Sequence, residues 1–570
     1  MNATPQAVLT RRLQAALTAA GLPPERGEVM AAADTRFGDY QANAAMVLAK
    51  EAKTNPRALA ANIAEHFDGG DVCAKPEIAG PGFLNFRLKP AWAAGQLSAL
   101  AVDPRCGVPS TDVPQCVIID FSSPNIAKPM HVGHIRSTIL GDALARIARF
   151  LGHKVVTDNH LGDWGTQFGK VLYGWKHLLD RDALERDPVA EMTRLYREVN
   201  ALEQTDPAVH RAAREELVKL QQGDPENRAI WQQLVDLSWA EFDDIYQRLD
   251  IRFDERLGES FYDPSLGGLV ENLLGRGIAE VSNGAVCLFF PEEPALADKP
   301  CLIRKSDGGF LYATTDLATI EYRRERWKPD AVWYVTGAPQ QLHFQQIFAA
   351  ARRMGVATRL EHIAFGSILG EDHKLMKTRS GDNVPLRDVL DEAVARARAM
   401  IEEKNPDLPE TEKETIARIV GLGAVKYAEL SQHRMTDYVF SWAKMLSLQG
   451  NTAPYLQNAY VRVQSIFRKL GAEPDLTREI ELETPAELAL AKKLLQFGEI
   501  VPLVLHDFRP NLLANHLFET ANAFHSFYEA CPVLKSEGIT QHSRLVLCAA
   551  TARVLRQGLD LLGVEVPERM

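Results

Sequence analysis

The chain has 570 residues, 46% hydrophobic and 24% charged, a composition that predicts a soluble globular protein of three or four domains at roughly 100–200 residues each. It holds no run of ~18 uncharged apolar residues, so no membrane span is expected, and its N-terminal stretch lacks the continuous apolar core and small-residue cleavage site of a secretory leader. A net charge of −11 argues against a protein that coats nucleic acid over its whole surface, while seven scattered cysteines without a CxxC pair argue against a zinc ribbon or a disulfide framework and fit a reducing cytoplasm.

Residues 1–100 alternate helical and strand patterns and end in "PGFLNFRL", a turn followed by a short alternating strand. The proline-rich "AVDPRCGVPSTDVP" then reads as a linker, which places a first domain at 1–112. "QCVIIDFSS" follows, with the short β-branched run of a buried parallel strand. "HIRSTILGDALARIARFLG" has helical spacing through Ile135, Ile139, Leu144 and Ile147, and "HKVVTDNHLGD" reads as a second strand. Strand, loop, helix and strand make the opening βαβ unit of a nucleotide-binding sheet.

From about 170 to 260 the chain is charged and mostly helical, an insertion in that sheet. Strands resume at "GAVCLFF", "CLIRKSDGGFLYATTD", "AVWYVTG" and "HIAFGSIL", so a second domain is expected over 113–386. Residues 387–570 are helical with short loops. The expected architecture is α/β: a Rossmann-like parallel-sheet domain, preceded by an α+β domain and followed by an all-α bundle.

The loop between the first strand and its helix is "SSPNIAKPMHVGHIRS". His131 and His134 stand three apart, without the i, i+4 spacing and intervening Glu of an HExxH zinc site, and no cysteine or third histidine is near. A chance HxxH with satisfied imidazoles is one reading. The other follows from position, because free N–H groups and the dipole at a helix N-terminus attract phosphate. Gly133 removes a side chain where a base would lie against backbone. Lys128 adds a positive charge. Two imidazoles and a lysine so placed suit adenylate chemistry, in which a carboxylate attacks an α-phosphate and pyrophosphate leaves.

"HVGH" resembles the HIGH signature of class I aminoacyl-tRNA synthetases, and "SSPNIAKPMHVGHIRSTILGD" resembles the arginyl-tRNA synthetases of bacterial type. The likeness continues through "FGDYQAN", "NHLGDWGTQFG", "LYATTDLA", "GAVKYAEL", "GNTAPYLQNAYVR" and "PERM", nearly the whole chain. It implies that Lys128, His131 and His134 are catalytic and that Pro124, Asn125, Gly133, Met376 and Lys377 join them in binding ATP. It also implies that Asp120, Ser123, Asn125, Glu259, Tyr312, Asp316 and Gln340 hold arginine. A guanidinium is a rigid fork of five donors, so a carboxylate beside a phenol is a fitting acceptor and shape filter. Asp316 also has a structural reading, since "TTD" before "LATIEYRRE" is a good N-capping sequence. Trp164 reads as a packing aromatic.

One stretch departs from the family pattern. Where many class I enzymes carry KMSKS, this chain has "HKLMKTRSGD", with Met376 in place and Thr378 at the position of the second lysine. Lys374, Lys377 and Arg379 are therefore either phosphate contacts or a solvated basic loop. The resemblance assigns the helical tail to anticodon binding, with Tyr455 and Tyr460 either stacking on splayed bases or packing in the core. It assigns the first domain to another part of the tRNA. The implied partners are ATP with Mg2+, L-arginine and tRNA(Arg), with no structural metal and no membrane, for a cytoplasmic monomer.

Overall fold

The computed structural model describes residues 4–376, 384–472 and 474–570, and the chain divides into two compact units. One comprises Asp112–Ala397 with Gln432–Ala443. Its centre is a parallel sheet of four strands: β1 (Cys116–Asp120), β2 (Lys154–Asp158), β3 (Ala331–Tyr334) and β4 (Arg359–His362), in the order β4-β3-β1-β2. Val117, Ile118 and Ile119 are 0% exposed, because β1 is central and covered on both faces. Helix α1 (Val132–Phe150) joins β1 to β2 and buries Ile135, Ile139, Leu144 and Ile147, the face its periodicity predicts. The chain leaves β1 toward β2 on one side, whereas β3 pairs with β1 on the other and leads to β4. That reversal is the switch point where doubly wound sheets open a crevice at the carboxyl ends of their strands.

Between β2 and β3 lie the helical insertion and two elements that build the site. The insertion comprises Gln167–Leu178, Arg181–Arg186, Pro188–Thr205, Pro207–Gln221 and Pro225–Arg248. Helix α2 (Glu259–Gly275) precedes a three-stranded antiparallel sheet, Glu280–Ser282, Ala285–Leu288 and Cys301–Arg304. Helix α3 (Tyr312–Trp327) follows, and helix α4 (Gln341–Met354) joins β3 to β4. The stretch "CLIRKSDGGFLYATTD" is therefore a strand only as far as Arg304. Leu311, not Asp316, caps α3, so the N-cap reading of Asp316 gives way to a position one turn inside the helix.

The other unit comprises Met1–Thr111, Arg398–Ser431 and Lys444–Met570. Its antiparallel sheet runs in the order Met30–Ala31, Tyr40–Ala42, Phe83–Phe86, Glu77–Ala79, packed by Leu9, Leu13 and Leu17 of the first helix. The tail is helical as expected, from Glu410–Leu430 through Gly538–Leu561, and Thr484 and Glu487 form a reciprocal capping box. Within this unit the N-terminal segment and the tail are joined by polar contacts. The Tyr40 hydroxyl donates to Glu499 at 2.9 Å, and Lys492 pairs with Asp39 at 2.8 Å. Tyr438–Val439, inside the stretch expected to be all helix, is instead a short parallel strand on Ile368–Leu369 in the first unit.

Candidate active site at the carboxyl edge of the parallel sheet

The loop after β1 is strained. Ser122, Ser123 and Ala127 have φ of 74°, 48° and 62°, conformations that cost side-chain-bearing residues of order 1–3 kcal/mol each. A hydrogen-bond web holds them there. The Ser122 N–H donates to Ser137 Oγ at 2.9 Å and the Ser123 N–H to Asn159 Oδ1 at 3.1 Å. Ser122 Oγ bonds the Tyr246 hydroxyl at 2.8 Å, and the Ala127 N–H donates to Ser238 Oγ at 3.0 Å. Tyr246 and Ser238 belong to Pro225–Arg248, so the insertion braces the loop. Pro124 is buried with its carbonyl accepting from the Gly162 N–H at 3.1 Å, and a Cβ at Gly162 would stand 2.1 Å from Asn125 Oδ1.

His131 is the N-cap of α1, and the two histidines cap it reciprocally. The Gly133 N–H donates to His131 Nδ1 at 3.1 Å, and the His131 N–H donates to His134 Nδ1 at 3.1 Å. With each Nδ1 accepting, a neutral ring must carry its proton on Nε2. Burial, aided by the neighbouring His131, pushes His134 down to about 3. Burial and then Lys128 lower His131. Both rings, 4.0 Å apart, are thus neutral at pH 7 and donate through Nε2. A Cβ at Gly133 would lie 2.8 Å from His131 Cε1, so the glycine makes room for that ring. Lys128 holds its ammonium over the Tyr196 ring, 5.2 Å from the centroid.

Tyr312 and Asp316 stand one turn apart on α3 and meet a residue that the sequence did not single out. His343, on α4, places Nε2 2.6 Å from Asp316 Oδ2 and its ring edge-on to Tyr312 at 4.8 Å. Tyr312 is 62% exposed. Glu259 opens α2, and burial together with the nearby Asp316 and Asp163 pushes it up to about 8. Asp163 is fixed by the Ser260 N–H at 2.8 Å and hydroxyl at 2.6 Å. Gln340 is exposed just ahead of α4. This corner holds more acid than base, the electrostatic setting for a cation. Trp164 packs edge-on to Trp231 at 5.8 Å.

Asp120 has a different occupation. Its Oδ2 accepts from Arg323 at 2.6 Å and its Oδ1 from the Ser123 hydroxyl at 3.2 Å, while Asp158 accepts from the same guanidinium at 2.7 Å. Arg323 is 0% exposed and also lies over the Tyr334 ring. Asp120 thus ties the β1 end to α3, and it reaches an incoming amine only by sharing oxygens already engaged. Met376 closes a tight hairpin, its N–H donating to the Ile368 carbonyl at 3.2 Å. Lys374 is exposed beside it, and Lys377, Thr378 and Arg379 lie outside the described residues. Among the described residues no group of three or more His, Cys, Asp or Glu is arranged to hold a metal.

In the other unit, Tyr460 is 2% exposed, so of its two readings the structure has the core one: it is a buried aromatic beside Glu568 and Arg556. Tyr455 is half-buried, stacked on His525 with its hydroxyl donating to Asn522. A cleft of about 450 Å³ nearby is lined by Arg462, Arg468, Lys469, Arg569 and Tyr528, with no acidic residue among its described lining. Sequence reasoning missed it because its charges come from helix Ala453–Leu470 and the far C-terminus.

No helix among the described residues is long and apolar enough to cross a membrane. Residues 96–442 match the family model for the catalytic domain of class I (R) tRNA synthetases. Residues 7–88 match the arginyl tRNA synthetase N-terminal domain and 456–570 the DALR anticodon binding domain. An arginine–tRNA ligase of a Synechococcus strain is 46% identical, with all of both chains covered. The crystal structure of arginyl-tRNA synthetase from Plasmodium falciparum superposes with a TM-score of 0.84 at 27% identity, covering 100% of each chain. That of Thermus thermophilus gives 0.82 at 27%, over 99% of this chain and all of the other. With an α/β sheet site, a helical tail and likeness from end to end, the chain belongs to the arginyl-tRNA synthetases of class I.

Proposed function

We propose that the protein is an arginine–tRNA ligase, which activates arginine with ATP and transfers it to the 3′-terminal ribose of tRNA(Arg). The observation that carries the arginine specificity is the acidic corner where Asp316 and Tyr312 meet His343 and Glu259 lies close enough to feel the Asp316 charge. A guanidinium entering there supplies the positive charge the corner lacks. The arginine carboxylate then attacks the α-phosphate of ATP and pyrophosphate leaves; the 2′-OH of the terminal ribose next attacks the adenylate's carbonyl, taking the arginyl group as its ester and releasing AMP. His131 and His134 are neutral Nε2–H donors, suited to oxygens on which negative charge grows, and Lys128 supplies the full charge. Ser123 and Asn125, on the braced loop, are the proposed contacts for the amino acid's polar end. Asp120 supports Ser123. Pro124, Gly133, Met376 and Lys377 are the remaining proposed ATP contacts, and Gln340 the remaining arginine contact.

Mg2+ suits the triphosphate, and with no cluster of metal-ligating side chains among the described residues it would arrive on the nucleotide and screen its charge. The proposed RNA surface of the tail is the basic cleft together with Tyr455, phosphates on the arginines and a base on Tyr528. We place the enzyme in the cytoplasm as a monomer, with domains at 1–112, 113–386 and 387–570. The test is charging of total tRNA with each of the twenty labelled amino acids: arginine alone should be transferred, and transfer of any other amino acid in its place overturns the reading.

A further inference from the structure

We infer that Tyr196 is a positioning residue for Lys128, holding its ammonium over an aromatic face, uncancelled, until the triphosphate of ATP takes it; this rests on the reading that Lys128 contacts ATP.

Tyr196 belongs to Pro188–Thr205 of the helical insertion, whose apolar face buries Val189, Met192, Leu195 and Val199. Its ring receives two ammonium groups, Lys128 at 5.2 Å and Lys170 at 5.7 Å from the centroid. The two lysines are otherwise unlike. Lys170 is neutralised by Glu203 at 2.7 Å and held by Asn200 at 2.6 Å. Among the described residues no carboxylate pairs with Lys128, and the ring is what fixes its direction.

The difference has a physical consequence. A carboxylate beside Lys128 would cancel its charge and compete with phosphate for it. A phenol ring attracts the cation through its quadrupole, leaves the full charge in place and is weaker than an ion pair. A four-carbon side chain without such a hold spreads over many rotamers and must be ordered on each binding event. The insertion thereby serves the chemistry at two points: Tyr246 and Ser238 fix the backbone of the loop, and Tyr196 aims its lysine.

The experiment is arginine-dependent ATP–pyrophosphate exchange by the full chain with cognate tRNA present, for Tyr196→Leu, Tyr196→Phe, Lys128→Met and the Tyr196→Leu/Lys128→Met pair. Tyr196→Leu should lower kcat/KM for ATP about threefold to thirtyfold, the range of the ordering cost of one freed lysine side chain, with the KM for arginine unchanged. Tyr196→Phe keeps the face and should restore most of the rate. In the Lys128→Met background, Tyr196→Leu should add nothing, as coupled residues require. An equal loss in that background, as a folding defect would give, overturns the inference, as does a Tyr196→Leu enzyme at full rate. If Lys128→Met itself runs at full rate, the assignment of Lys128 fails and the positioning role fails with it. Arginine-specific charging by the same variant would show that the proposed reaction survives.

Discussion

Two ends of one sheet edge respond to burial with opposite proton movements. In the loop after β1, burial removes protons: His134 is pushed down to about 3, and His131 is lowered by burial and the Lys128 charge. At the start of α2, burial adds one: Glu259 is pushed up to about 8, although the first turn of a helix favours an anion. In each case the charged form is the one that loses water. The histidines need no ionisation change to act, since their Nδ1 atoms already accept backbone N–H groups and their Nε2–H groups are free to donate. The acidic corner is unfinished without a cation. The nucleotide end should therefore bind with little proton exchange, and the guanidinium end should not.

Asp316→Asn should break the contrast most severely. It keeps the shape of the side chain and the contact to His343 while removing the charge opposite the guanidinium. Removing one partner of a buried charge pair costs about 2–5 kcal/mol, so the KM for arginine should rise by roughly 30-fold to several-thousand-fold. The KM for ATP should hold. A fall in ATP affinity with arginine affinity intact would move Asp316 out of the specificity pocket.

His134→Ala tests the other end. Loss of one preorganised donor to a developing oxyanion typically costs ~10²–10³ in rate, and arginine binding measured at equilibrium should change little. Adenylate formation near the normal rate would leave His134 as a helix cap only.

The proton itself gives a smaller effect. Below pH 8 Glu259 carries a proton in the free protein, and a guanidinium beside it favours the carboxylate. Arginine binding should then release up to one proton in the window below about pH 8. Affinity should rise with pH across that window, by at most about tenfold per unit, and level off above it. The groups facing Glu259 are Asp316 on α3, Asp163 in the loop after β2 and the backbone at Trp164. Asp163 is itself raised by burial, and the Ser260 bonds oppose that rise. Calorimetry in buffers of differing ionisation enthalpy reads the released proton directly. Glu259→Gln should abolish it; unchanged release in that variant would assign the proton to Asp163.

How much of this was legible in the sequence depended on the range of the interactions. β1 and α1 were legible because Val117–Ile119 and the Ile135–Ile147 stripe are local patterns read at periods 2 and 3.6. The His pair was legible because a helix N-terminus and its cap fit within four residues. Asp316 was ambiguous, since "TTD" is a good capping triplet and only the structure shows that the helix has already begun at Tyr312. His343 and Arg323 carried no local signal. His343 reaches an acid 27 positions away, and Arg323 sits in "EYRRERW", which reads as a solvated charged face until carboxylates from β1 and β2 close on it. Tyr460 and the basic cleft show the same limit in the tail, where two tyrosines five residues apart do not say which ring faces inward.

Gly133→Ala sharpens the contrast at the lowest cost to the protein. Position 133 lies in the first turn of α1 with ordinary helical backbone, so alanine should favour the helix by up to about 1 kcal/mol. Its Cβ, however, would stand 2.8 Å from Cε1 and 2.9 Å from Nδ1 of His131. The imidazole must turn aside, which strains or breaks the Gly133 N–H bond to Nδ1 and with it the constraint that keeps the ring's proton on Nε2. His134 is held by a different bond, from the His131 N–H, and stays in place. Exchange should slow by about fivefold to tenfold, the cost of misaiming one hydrogen bond of ~1–1.5 kcal/mol. The lost cap bond offsets the helix gain, so the melting temperature should stay near level. Rate falling while stability holds is what a ring aimed at substrate predicts; if both fell together, His131 would be serving the helix rather than the reaction.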